Sequence, residues 1–337
     1  MRQAAQDAIL AEKIVVIVGP TASGKTELAL ALARALGGEI VSADSRQVYR
    51  ELNAGTAKPA RDRAGRVEGI PYHLTDCAGL ADPFDAGRFA ALARTEVAAI
   101  HQRGATAVVA GGTGLYVRAL LEGLCALPTR DETLRRKLEE EARAGGRARL
   151  HERLARVDPQ AAARIPANNI QRVVRALEVF ELTGRPISEL WQDNKPLGGQ
   201  LSASVAFRID WPPDILRRRI RERAEGMWPA MLEEVAGLLG RFSGSEPCFA
   251  SLGYPEAVAC VRGQLEPEEG LQRLINSTCA YAKRQRTWFR HQVSAVPVTG
   301  GRIEDMLSTC LAHCGCREPA GAGRTDFIAT GASLPKP

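Results

Sequence analysis

IVVIVGPTASGKTELALALARAL, residues 14–36, decides the fold. Its first five residues form an unbroken β-branched run, the pattern of a strand buried on both faces of a parallel sheet. The segment ELALALARAL repeats apolar residues at helical spacing, and Gly37-Gly38 closes it. Between them GPTASGKT (19–26) has the P-loop spacing of Gly, four residues, Gly-Lys-Thr, in the strand-to-helix setting the motif requires. Gly19 and Gly24 let the backbone curl through Pro20, Thr21, Ala22 and Ser23, aiming the turn's N–H groups at a phosphate on the positive end of the helix. Lys25 adds a point charge to that phosphate, and Thr26 offers a hydroxyl ligand to Mg²⁺.

Outward from this segment, EIVSA (39–43) reads as a second strand ending at Asp44. ATAVVA (105–110) reads as a third, running into GGTGLY (111–116) and another helix. The alternation predicts an α/β fold, a P-loop NTPase-like doubly wound parallel sheet. Asp44 then falls at the carboxyl edge of the sheet, where such folds bind ligands. Two roles fit it equally, a base for an incoming nucleophile or the N-cap of a helix starting at Ser45. ATAVVA leads into glycines and Thr113 with no carboxylate, which favours group transfer over ATP hydrolysis.

Residues 130–190 change character, with helical patterning, many charges and no convincing strand. In NNIQRVVRALEVFELTG, Ile170, Val173, Val174, Leu177 and Phe180 share one face, with Arg172, Arg175 and Glu178 off it. The expected organisation is a P-loop core over 1–120 and 201–316, a helical insertion domain over 121–200 and a loose tail over 317–337. SVAFRI (204–209) reads as a strand returning to the sheet, followed by Arg-rich helices to about 295.

The net charge of +6 points only weakly to a polyanionic partner. The N-terminal residues carry an acid and no long apolar run, so no secretory signal is expected, and no stretch approaches the roughly 18 apolar residues of a membrane span. Eight scattered cysteines then read as reduced thiols of a cytoplasmic protein. Cys310, His313, Cys314 and Cys316 fit no common two-plus-two zinc spacing.

GPTASGKT, ADSRQVYR (43–50), GTAKP (55–59), GGTGLY, QRVVRALEV (171–179), LGYPE (252–256) and AKRQRTWFR (282–290) occur in the order of the tRNA dimethylallyltransferase family, and the chain resembles that family over about 14–292. The resemblance implies a prenyltransferase that uses the P-loop, with Mg²⁺, to hold the diphosphate of dimethylallyl diphosphate. It implies alkylation of N6 of the adenosine 3′ of the tRNA anticodon, with the insertion gripping the anticodon stem-loop and the enzyme acting as a monomer. Residue by residue, it places Gly19 to Thr26 on the diphosphate and makes Asp44 the base. It gives Lys25 and Arg223 the departing charge. It gives Asp44, Ser45, Arg46 and Gln47 contacts to the target nucleotide, and sets Thr113 beside the reaction channel. It assigns Arg135 and the stretch Gln171, Arg172, Val173, Val174 and Arg175 to tRNA. The chain departs from the family pattern at Tyr72, Asn169 and Cys279, and GMWPAMLEEV (226–235) lacks a Gly of that pattern and is one residue shorter than it.

Other readings keep the same P-loop. A small-molecule or nucleotide kinase would need an acid at the end of strand two but not the insertion or AKRQRTWFR. A prenyltransferase acting on free adenine nucleotides would need less of the insertion, and a regulatory RNA-binding protein would not need Lys25, Thr26 and Asp44 together. In KRQRTWFR, four cations and two aromatics suit either RNA contact or an amphipathic helix burying Trp288 and Phe289. RRRIRER (217–223) reads as a solvated helix face except for Arg223, Lys58 as a loop residue and His73 as a structural histidine.

Overall fold

The computed structural model describes residues 14–125, 127–193, 204–244 and 246–315. The N-terminal residues 1–13 and the tail from Cys316, on which expectations were stated, lie outside them. The chain separates into two compact units: the described residues of Met1–Val117 with Ala203–Pro337, and those of Arg118–Ser202.

The first unit is built on a seven-stranded sheet in the order β3-β4-β2-β5-β1-β6-β7. β1 (Ile14–Val18) lies between β5 (Thr106–Gly111) and β6 (Ser204–Asp210), parallel to both, with Val16 opposite Val109 and Ala206. Every residue of β1 and β5 is buried, which is why their sequences run apolar without alternation. β2 (Gly38–Ser42) pairs parallel with β5 and with β4 (Ile70–His73), while β3 (Arg66–Val67) closes that edge antiparallel. This short hairpin was not anticipated, so the expected third strand is the fifth. β7 (Val296–Thr299), also unanticipated, extends the other edge parallel to β6. The order β2-β5-β1-β6 sets the loops leaving four carboxyl ends side by side, the edge where folds of this kind bind ligands.

Helix α1 (Lys25–Leu36) packs Leu28, Leu32 and Ala33 onto the sheet with Cys310, Leu311 and Cys314 of a C-terminal helix, Ile303–Cys314. Cys310 and Cys314 are thus members of the apolar core; burial, with Cys314 beside it, pushes the Cys310 thiol up to about 12. Further helices are α2 (Ala86–Gln102) and α3 (Gly114–Glu122).

The second unit holds α4 (Glu132–Gly145), α5 (Arg147–Val157), α6 (Pro159–Arg164), α7 (Ile170–Thr183) and α8 (Ile187–Asp193) around its own core of Leu138, Leu150, Leu154 and Leu177. The buried Asp158 carboxylate ties two helix starts together, accepting from the N–H groups of Ala161 at 2.8 Å and Ser188 at 2.9 Å. Val173 and Val174 are fully buried in this core, which corrects their assignment as RNA contacts: their side chains hold α7 in place.

After β6 come the 27-residue α9 (Pro213–Leu239), then α10 (Tyr254–Val261) and α11 (Pro267–Gln292), leaving the Ile303–Cys314 helix as α12. Among the described residues no helix is long and apolar enough to cross a membrane.

Candidate active site

One cavity of about 860 Å³ opens at the carboxyl edge of the sheet, and its wall carries Thr21 through Thr26, Asp44 through Gln47, Arg219 and Arg223. The P-loop turns into α1 through Gly24, whose φ of 89° suits glycine. Ala22 also has a positive φ, 61°, a conformation an L residue seldom adopts unless held. It is held from α9, because Arg219 Nε donates to the Ala22 carbonyl at 2.9 Å while its guanidinium lies 4.7 Å from the centre of the Trp211 ring. The Trp211 indole in turn donates to the Ser23 carbonyl at 3.0 Å.

Lys25 folds back along the loop, its ammonium donating to the Pro20 carbonyl at 2.6 Å. Burial, and then the neighbouring Arg223, lower this ammonium from 10.5 to about 8, while Asp44 opposes the shift. Arg223 donates to the Thr21 hydroxyl at 3.2 Å. Its guanidinium too is pushed below its ordinary value by burial, with Asp44 opposing. The lysine, the arginine and the aspartate therefore act on one another electrostatically across one pocket. An anion entering the cavity would meet two cations, and its charge would offset the desolvation that lowers both.

Asp44 follows β2, yet no helix begins at Ser45; the chain makes turns there. The cap reading therefore fails for a helix and survives as a turn: Asp44 Oδ1 accepts from the N–H of Arg46 at 2.8 Å and of Gln47 at 3.4 Å. Thr113 is not on the cavity wall. Its hydroxyl accepts from the Ser45 N–H at 2.9 Å and lies 3.2 Å from the Ser45 hydroxyl, bracing the shelf from the end of β5. Gln47 is buried, and its amide is committed within the protein: Oε1 accepts from the Ser42 hydroxyl at 3.1 Å, while Nε2 donates to the Thr56 and Ala57 carbonyls at 3.4 and 3.5 Å. Tyr72 is buried beside this shelf; burial and then Asp44 raise its phenol to about 12, with Ser42 and Thr26 opposing.

Helix α11 contributes residues that the sequence reading passed over. Gln285 is buried; its Oε1 accepts from the Thr21 N–H at 2.9 Å and its Nε2 donates to the Gly112 carbonyl at 2.8 Å. One amide thus joins the loops leaving β1 and β5. Tyr281 and Arg284 lie on the cavity wall beside it. In KRQRTWFR, Phe289 is buried as the amphipathic-helix reading expects, while Trp288 is half-buried against Gly114. Within RRRIRER, Arg219 joins Arg223 one helical turn away on the same face. Lys58 proves structural, bonded to the Tyr49 carbonyl at 2.6 Å and Asp76 at 2.5 Å, and His73 pairs with Glu39 at 2.6 Å.

The remaining predicted RNA contacts belong to the helical unit. Gln171 and Arg172 are exposed. Arg175 and Arg135 instead close on the fully buried Glu178 carboxylate, at 2.7 and 3.2 Å, and Arg175 also donates to the Pro128 carbonyl at 2.7 Å.

A family model described as IPP transferase matches residues 47–292. The tRNA dimethylallyltransferase of Anaeromyxobacter dehalogenans (strain 2CP-C) is 49% identical over 286 residues, 84% of this chain and 94% of that protein. The full-length tRNA isopentenylpyrophosphate transferase of Bacillus halodurans, a solved structure, is 33% identical with a TM-score of 0.64, over 90% of this chain and 96% of that one. A eukaryotic dimethylallyltransferase acting on tRNA shares the fold at a TM-score of 0.73 and 23% identity, over 90% of this chain and 77% of that one.

Proposed function

This chain belongs to the IPP transferase family and modifies tRNA by dimethylallyl transfer, and we propose that it moves the group from dimethylallyl diphosphate to N6 of the adenosine 3′ of the anticodon. The observation that carries the chemistry is the meeting of Lys25, Arg223 and Asp44 in one cavity. The P-loop N–H groups, Lys25 and Arg223 bind the diphosphate. The allylic C1–O bond breaks, and its electron pair leaves with the diphosphate onto these cations. The N6 lone pair forms the new C1–N bond, and the proton N6 sheds passes to the Asp44 carboxylate. Asp44 also faces the positive charge that develops on the allylic carbon, so one anion serves both needs.

A magnesium ion fits the donor set. Among the described residues no group of three or more His, Cys, Asp or Glu can cage a metal, whereas Thr26 offers one hydroxyl on the cavity wall. Mg²⁺ is commonly held by few protein ligands with substrate phosphates and water. Bound there it would neutralise diphosphate charge. We place the enzyme in the cytoplasm as a monomer. The exposed Gln171 and Arg172, on the helical unit, are the residues we assign to the anticodon stem-loop.

The test is mass spectrometry of nucleosides from unmodified tRNA incubated with the protein, dimethylallyl diphosphate and Mg²⁺. A prenylated adenosine at the position beside the anticodon is the expected product. Substrate-dependent release of ADP from ATP, with no prenylated nucleoside, would replace this reading with a kinase.

A further inference from the structure

GTAKP and LGYPE lie almost two hundred residues apart, and the chemistry of the reaction leaves both without a role. In the fold they form one device. Tyr254 of LGYPE, fully buried at the start of α10, lays its ring against the backbone of Gly55 of GTAKP: a Cβ on Gly55 would stand 2.5 Å from the ring, so only glycine fits. Gly253 next to it has a φ of 86°, and a Cβ there would meet Leu274 at 2.7 Å.

The Tyr254 hydroxyl donates to Oε1 of Glu234, on α9, at 2.7 Å. The other carboxylate oxygen, Oε2, accepts from two successive backbone N–H groups, Asn53 at 2.7 Å and Ala54 at 2.8 Å. Three donors thus converge on one carboxylate, and hydrogen bonds to an ionised acceptor are about twice as strong as neutral ones. The loop they seize is part of the reaction cavity, since Gly55, Thr56, Ala57 and Pro59 share its wall with Asp44. The carbonyls of Thr56 and Ala57 receive the Gln47 amide, and the Gln47 and Arg46 N–H groups hold Asp44 Oδ1.

We propose that Glu234, with Tyr254, is a positioning clamp: it fixes the 53–57 loop and, through Gln47, the orientation of the Asp44 carboxylate. Glu234 touches no reacting atom. The proposal rests on Asp44 being the base. It explains why a glycine stands at 55, why a tyrosine follows the glycine of LGYPE, and why a carboxylate sits on a face of α9 that faces backbone N–H groups.

The full-length chain tests it with Glu234→Met and Glu234→Gln. Methionine keeps the volume and leaves two N–H groups and a phenol unpaired. Glutamine can accept both N–H groups on its oxygen and donate to the phenol oxygen, so it should restore the clamp. Three quantities are read: amide hydrogen exchange at Asn53 and Ala54, the single-turnover rate of transfer to saturating tRNA, and the affinity for dimethylallyl diphosphate without tRNA. In Glu234→Met the two amides should exchange faster and the rate should fall about tenfold, as expected for a displaced catalytic group. Donor affinity should stay within twofold, and Glu234→Gln should recover most of the rate. A Glu234→Met protein that keeps its rate, or that loses donor affinity in step with rate, overturns the clamp. Should Glu234→Met fail to fold, Tyr254→Phe decides: faster exchange at Asn53 and Ala54 with a rate down about threefold upholds the proposal, and unchanged values overturn it. If the unaltered protein prenylates nothing, the proposed chemistry falls. The clamp is then judged by exchange at Arg46 and Gln47, which must quicken in Glu234→Met if it stands.

Discussion

In the α/β unit Arg219 and Arg223 donate to neutral acceptors, the Ala22 carbonyl and the Thr21 hydroxyl. In the helical unit Arg135 and Arg175 close on Glu178, whose carboxylate is fully buried. The same residue type therefore does opposite work. A guanidinium held by neutral oxygens is fixed in place and keeps its charge for an incoming anion. One held by a buried carboxylate has its charge consumed, and removing the carboxylate would leave two cations uncompensated. The difference separates the cavity where we propose that a diphosphate binds from a cluster that joins α4 and α7. It also revises the RNA contacts of the helical unit: of the two arginines one turn apart on α7, only Arg172 stands exposed.

The comparison can be broken first at Asp44, the carboxylate of the functional unit. Asp44→Asn keeps an oxygen for the Arg46 and Gln47 N–H groups but removes the charge and the base. Single-turnover transfer to tRNA should fall roughly 10² to 10⁴-fold, while the melting temperature barely moves. A variant that unfolds early yet transfers at the normal rate per folded molecule would make Asp44 a turn-former, a structural carboxylate like Glu178.

Glu178→Ala should show the converse. Breaking a buried pair by removing one partner costs about 3–5 kcal/mol, so denaturant unfolding should reveal a destabilised protein. Donor binding at the P-loop should be unchanged. If stability holds and tRNA affinity alone falls, Arg135 and Arg175 face RNA after all.

Gln285→Met sharpens the contrast within the functional unit, because it unpairs the Thr21 N–H and the Gly112 carbonyl while leaving every cation in place. Each lost hydrogen bond is worth about 1 kcal/mol, so calorimetric titration with dimethylallyl diphosphate should show affinity down by as much as about 30-fold. An unaltered affinity would mean the P-loop holds its shape without this link.

The smallest effect belongs to Arg172→Ala. An exposed arginine on a phosphate contributes about one unit to the slope of log affinity against log salt. The variant should bind tRNA less tightly, with that slope reduced by about one and folding intact. An unchanged slope would remove Arg172 from the RNA surface.

Much of this was legible before folding because it rests on local rules. A β-branched run, a glycine-hinged turn and a helical apolar repeat need only their neighbours to be recognised, and 14–36 holds all three. Asp44 was legible as an edge residue, but not as a turn rather than a helix cap, since Asp favours both. The β3–β4 hairpin escaped because two- and four-residue strands carry too little periodicity to count. Gln285 and Arg219 escaped for a different reason. Each lies in an Arg-rich helix where polar residues read as a solvated face, and only the packing of α9 and α11 beside the P-loop turns them inward. Glu234 gave no signal, because the backbone N–H groups it holds, those of Asn53 and Ala54, lie 181 and 180 residues away along the chain.

The sequence by itself determined the α/β class, the glycine-hinged turn from β1 into α1, the carboxylate at the end of β2 and the presence of a helical insertion. Those depend on backbone conformation and apolar period, which neighbouring residues impose. Only the tertiary structure decided which charges remain available. An arginine's usefulness to a ligand depends on whether a carbonyl, a hydroxyl or a buried carboxylate receives it, and that partner comes from a distant segment whose approach no local pattern records.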